Sequence, residues 1–173
     1  QDLGIPLSLH VSSNRPGYGQ ELGIKNVLTP SFLCNTDHWV RMSLADMIYI
    51  GVFERYPKLK VGAVEHELSW VPFFLNRLDD IYTQRVIEQE RYRYKEDMLP
   101  SDYFHRNVFI SFQEDAVALR ERQFIGVDNL LWGSDYPHAE STFPRSQQIL
   151  SDCTEEEKAK IVGGNTARIY DLG

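Results

Sequence analysis

Four short apolar segments, at residues 4–11, 60–64, 107–112 and 130–132, are separated by stretches of helical periodicity, and this alternation constrains the fold most. The first is entered from a Gly/Pro turn and followed by a Gly-, Pro- and Asn-rich loop over residues 12–36. Val40, Leu44, Met47, Ile48 and Ile50 recur near helical spacing, with Asp37 or Ser43 as the cap. That helix should stop by Tyr56, because Pro57 disfavours helix in the residue before it. A longer pattern runs from Ser69 toward Tyr94, with Trp70, Phe73, Phe74, Leu78 and Ile81 on one side. Pro72 fits its first turn, where a missing N–H costs little. Further helices are expected over residues 115–124, ended by Gly126, and over 145–150 and 154–162; a last turn covers 166–170.

Strands alternating with helices demand a parallel sheet, so the fold class is α/β. Strands this short and apolar are expected to be buried on both faces. With no internal repeat, low-complexity tract or linker, residues 1–173 read as a single domain.

A net charge of −7 argues against a nucleic-acid partner, which normally requires a clustered basic face. The densest basic stretch, Arg85 to Lys95, is interleaved with Glu88 and Glu90 and reads as a solvated helix face. The apolar runs are too short to cross a bilayer, so no membrane association is expected. Gln1-Asp-Leu-Gly has neither a basic start nor an apolar stretch, so no signal peptide is expected there. Cys34 and Cys153 lack metal-like spacing and read as reduced thiols, pointing to a cytoplasmic protein.

In parallel α/β folds functional groups gather at the C-terminal strand ends. Here those ends carry His10, then Glu65-His66, then Gln113-Glu114-Asp115, then Ser134-Asp135 with His138. Histidine with carboxylate suits a borderline divalent metal such as zinc, with one position left open to activate water. A further histidine could move a proton or bond the substrate. Each residue also has a plainer reading. His10 could be a core histidine, and Asp135 could be a cap. On a continuing strand Glu65 and His66 would point to opposite sides, leaving one of them structural. His38 and His105 are not expected to be catalytic, and the tryptophans are mostly core, although Trp70 lies close enough to a strand end to line a pocket. The constellation is stronger than any member.

Gly133-Ser-Asp-Tyr-Pro-His138, preceded by Asn129-Leu-Leu-Trp132, resembles the last-strand motif of the amidohydrolase-related family, which includes aminocarboxymuconate-semialdehyde and resorcylate-type decarboxylases. Glu65-His-Glu-Leu-Ser-Trp-Val-Pro72 with Arg77-Leu-Asp79 resembles its sixth-strand segment. Pro100-Ser-Asp-Tyr-Phe104 before Asn107-Val-Phe, and Thr166-Ala-Arg-Ile-Tyr170, resemble its approach to strand seven and its closing helix. The resemblance covers nearly the whole chain and implies strands five to eight of a TIM barrel. It implies His10 as the strand-five metal ligand and Asp135 as a strand-eight ligand that also handles a proton. His66 matches the histidine that assists decarboxylation, while Glu65 matches the glutamate of other members. His138 and Glu140 would be substrate-contacting rim residues, together with Glu65 and Trp70. Phe32, Trp39, Tyr136 and Phe143 fit a flat substrate.

Such barrels open on a His-x-His or Glu-x-His ligand pair, and none of the histidines here (10, 38, 66, 105, 138) forms one. A full (β/α)8 barrel needs about 250 residues, so this sequence holds about half of one. It is then a piece of a longer enzyme, one of two copies that close a barrel together, or a half barrel without metal. The expected activity is metal-dependent hydrolysis or non-oxidative decarboxylation of a small carboxylate, amide or lactone, with zinc as cofactor. The partners expected are a small-molecule substrate and either a second copy or an N-terminal half. The rival is a metal-free, oligomerising or binding module.

Overall fold

The computed structural model describes residues 1–11, 29–86 and 89–173. Most of the loop expected over residues 12–36 lies outside the described residues; its end forms α1 (Pro30–Leu33), capped by the Thr29 hydroxyl.

Four strands, β1 (Leu7–His10), β2 (Val61–Val64), β3 (Val108–Phe112) and β4 (Leu130–Trp132), lie in the order β1-β2-β3-β4, all parallel. Between β1 and β2 lie α2 (Asp37–Tyr49) and α3 (Val52–Arg55), and between β2 and β3 lie α4 (Val71–Ile81) and α5 (Pro100–Asn107). Then come α6 (Ala116–Leu119) and α7 (Arg122–Ile125), and after β4 α8 (Ser146–Ile149), α9 (Glu155–Ala159) and α10 (Asn165–Ile169).

One sheet face carries Val61, Ala63, Val108, Ile110, Phe112 and Leu130 into a core shared with Leu44, Ile48, Phe53, Leu75 and Phe104. Phe109 and Leu131 point the other way and pack with Ile169, while the Tyr170 ring sits 5.8 Å from Phe109. The expected burial on both faces holds for β2 and β3 but not for β1, where Leu7 is 47% exposed. The reason is position: among the described residues β1 is an edge, hydrogen-bonded to β2 alone.

Gly62 sits in register with Phe109, and a Cβ placed there would come within 2.4 Å of the phenyl ring. Phe109 is itself buried and has little room to retreat. A Gly62→Ala variant is therefore expected to lose about 1–3 kcal/mol of stability, measured as a lower urea midpoint with unchanged slope.

Three expected helices are corrected. The segment toward Tyr56 breaks at Gly51, which takes the left-handed conformation (φ 72) and divides α2 from α3. The pattern from Ser69 toward Tyr94 is helical only to Ile81 and then widens into a π turn (Tyr82–Val86). Tyr94 instead folds back, its ring stacked 4.8 Å from Tyr82 and its hydroxyl donating to the Ile48 carbonyl. The third, over residues 115–124, is two short helices. Helix α5 was not anticipated, yet its start has a recognisable pattern: Pro100 in the first turn, and an Asp102 carboxylate that accepts the Leu99 N–H at 2.8 Å.

Candidate active site

The strand ends converge on a cleft of about 240 Å³ lined by Glu65, Ser111, Phe112, Gln113, Gly133 and Asp135. Backbone bonding continues just past the strands, from Val11 N–H to the Val64 carbonyl and from Gly133 N–H to the Phe112 carbonyl. The functional side chains therefore stand on a braced rim.

His10, the last residue of β1, donates from Nδ1 to the Val11 carbonyl at 2.9 Å and brings Nε2 to 3.1 Å from Glu65 Oε1. The Val11 carbonyl, and then the Glu65 and Asp135 carboxylates, raise its pKa above the ordinary histidine value against a smaller lowering by burial. Glu65 N–H donates to Ser111 Oγ at 3.1 Å, so β3 positions the first residue after β2. On the far side of the cleft Asp135 Oδ2 lies 3.0 Å from His138 Nδ1.

Glu65 (φ 61), Glu67 (φ 54) and Asp135 (φ 54) all have left-handed backbone. Such a conformation is uncommon for a residue with a Cβ, costs on the order of 1 kcal/mol or more, and clusters at functional sites. At Glu65 and Asp135 it occurs where the chain leaves β2 and β4 beside the cleft.

The other expected site residues fall elsewhere. His66 is buried, with Nδ1 2.8 Å from the Thr36 carbonyl and Nε2 3.3 Å from the Leu9 carbonyl. Burial holds its pKa below the ordinary value, although both carbonyls pull upward. In this geometry His66 ties β1 to the start of α2 and does not line the cleft. Trp70, expected to line a pocket, is corrected to a core residue. Its indole N–H is taken up by the His66 and Glu67 carbonyls, and its ring packs against Phe74 and Phe104. His138 and Glu140 are exposed on the loop after Asp135, and on that loop the Tyr136 and Phe143 rings meet at 4.9 Å. Ser111 was missed; it belongs to no motif, and only the strand register brings it to the cleft.

The donor chemistry fits part of a metal centre. A histidine whose Nδ1–H is held by a backbone carbonyl presents Nε2 as a ligand, and Asp135 adds a carboxylate beside the same cleft. Among the described residues, however, no group of three or more His, Cys, Asp or Glu side chains could hold an ion. Protein zinc sites take at least three such ligands, so the described residues do not make a complete site.

The amidohydrolase family model matches residues 1–172. A 5-carboxyvanillate decarboxylase from Sphingomonas paucimobilis superposes with TM-score 0.74 at 26% identity, covering 97% of this chain and 50% of its own. An amidohydrolase from Mycobacterium avium subsp. paratuberculosis superposes with TM-score 0.77 at 27% identity, covering 98% and 43%. A dihydroxybenzoic acid decarboxylase from Polaromonas, solved with manganese and the inhibitor 2-nitroresorcinol, shares the fold with TM-score 0.71 at 20% identity, covering 99% and 51%. The chain spans about half the length of these similar proteins.

Proposed function

Since the chain belongs to the amidohydrolase family, we propose that its strand-end cleft is half of the active site of a divalent-metal-dependent decarboxylase or hydrolase acting on a small carboxylate, with residues 1–173 folding as one unit. The observation that carries this reading is the pairing of His10 Nε2 with Glu65 on one side of the cleft and of Asp135 with His138 on the other. Decarboxylation of an aromatic acid is preferred over hydrolysis of an amide or lactone, because the Sphingomonas protein, at 26% identity, is a decarboxylase.

His10 and Asp135 would hold the metal together with donors from outside the described residues. A histidine–carboxylate set suits zinc, and manganese is the ion of the Polaromonas protein. When bound, such an ion would supply Lewis-acid stabilisation of developing negative charge. The chain's own groups do the rest. Glu65 and His138 orient the substrate from opposite sides, and Glu140 and the Tyr136–Phe143 pair flank its entry. Asp135 or Glu65, both lining the cleft, delivers the proton that replaces carbon dioxide. His66, assigned to catalysis by resemblance, fits better as a brace between β1 and α2.

The remaining donors would come from an N-terminal half or from a second copy pairing with the edges of β1 and β4 that are unpartnered among the described residues. Among the described residues no helix is long and apolar enough to cross a membrane, and a cytoplasmic location fits the reduced thiols. A metal-free binding module is the second reading, supported by the two-donor set. Carbon dioxide release from 2,6-dihydroxybenzoate, with and without added manganese or zinc, separates the two. Metal-dependent release supports the enzyme; none with any ion, from chains that native mass spectrometry shows completed by a second copy or an N-terminal half, supports the module.

A further inference from the structure

Glu67 has no part in the chemistry above, yet its carboxyl is held in an unusual way. Oε1 accepts the Gln113 N–H at 3.3 Å, while Oε2 is buried with no hydrogen-bond partner among the described residues. The residue has left-handed backbone (φ 54), and its carbonyl is fixed by the Trp70 indole at 3.0 Å. Gln113 lines the cleft, and its own carbonyl accepts the Trp132 indole N–H at 3.0 Å. One continuous run of contacts, Glu67 to Gln113 to Trp132, therefore crosses the ends of β2, β3 and β4.

We propose that Glu67 is a positioning residue for the cleft, its enclosed carboxyl fastening Gln113, and through Gln113 the Trp132 ring, so that one side chain sets the spacing of three strand ends. This rests on the reading of the cleft as the substrate site. A neutral carboxyl tolerates an unpartnered enclosed oxygen far better than a carboxylate does. The groups facing it from the β3–α6 connection, Asp115 and Glu114, are both acids. Glu65 on its own segment is paired with His10, and the neighbouring His66 is turned to backbone carbonyls. Burial, with the charges of Asp115 and Glu114 adding to it, raises the Glu67 pKa above the ordinary carboxylate value, against the opposing Gln113 and Glu114 backbone N–H groups.

The sign follows. The folded state holds this proton more tightly than the unfolded chain, so its stabilising contribution is complete below the unfolded value. It is lost as pH rises through the folded one. Glu67→Gln keeps the shape and stays neutral. It should therefore melt a few degrees above the parent chain at pH 8 and level with it at pH 4. The Trp132 indole N–H resonance should move with pH in the parent chain and lose that component in Glu67→Gln. The ¹³C carboxyl resonance of Glu67 in the unmodified protein, which requires no variant, should titrate above the ordinary glutamate range. A normal Glu67 titration, or a Trp132 resonance whose pH dependence the substitution leaves unchanged, overturns the proposal. No substrate or metal enters these measurements, so their failure is separable from failure of the enzymatic reading.

Discussion

Asp115→Ala is expected to melt about 6–12 °C below the parent chain, from a loss of about 3 kcal/mol at about 2–4 °C per kcal/mol for a chain of this size. The buried Asp115 carboxylate accepts from Leu68 N–H at 2.9 Å, Ser69 N–H at 2.7 Å, Ser69 Oγ–H at 2.6 Å and Ala118 N–H at 3.0 Å. The last bond caps α6, which alone is worth about 1 kcal/mol. The other three hold the segment between β2 and α4, where Glu67 and Trp70 take their places. Removing the acceptor leaves the buried Leu68 N–H unpaired, at about 1–3 kcal/mol before relaxation, whereas the part-buried Ser69 N–H can turn to water. Ser69→Ala removes one exchangeable hydroxyl beside exposed backbone and should cost far less. Thermal denaturation of both variants decides the point: a loss of only about 1 kcal/mol for Asp115→Ala would mean that the cap is all it provides.

If the proposed site is completed by its remaining donors, His10→Ala and Asp135→Asn should each weaken divalent-metal binding there by at least about 100-fold, beyond the 10–100-fold typical of changes to groups behind the ligands, and abolish any carbon dioxide release. Neither residue is buried in the core, and both lie at the open rim. Melting temperatures should therefore stay within a few degrees of the parent chain. Titration calorimetry with manganese, run beside circular dichroism melts, separates loss of a ligand from loss of the fold. An Asp135→Asn protein that binds metal as the parent does would remove Asp135 from the centre.

Much of this architecture is legible in the residues. β2, β3 and β4 are apolar runs that pack as they read, and Gly126 (φ 101) ends α7 where a residue with a Cβ would be strained. The helix after β2 reads too long, because Tyr82 and Tyr94 continue an aromatic pattern. Their stacking against each other, a tertiary contact, folds the chain back instead. At the site, the rule that function collects at strand ends brings out His10, Glu65 and Asp135 from position alone. It does not say which of Glu65 and His66 faces the cleft. Strand alternation stops at Val64, and the left-handed turn at Glu65 re-aims everything after it. Ser111 carries no motif, and a register between strands is not written in either strand alone.

The most direct test is a manganese-soaked crystal read by anomalous scattering. A single strong peak is expected in the cleft, where His10 Nε2 and an Asp135 oxygen would both hold the ion. A peak elsewhere on the molecule, or a cleft that stays empty at saturating manganese, would contradict it.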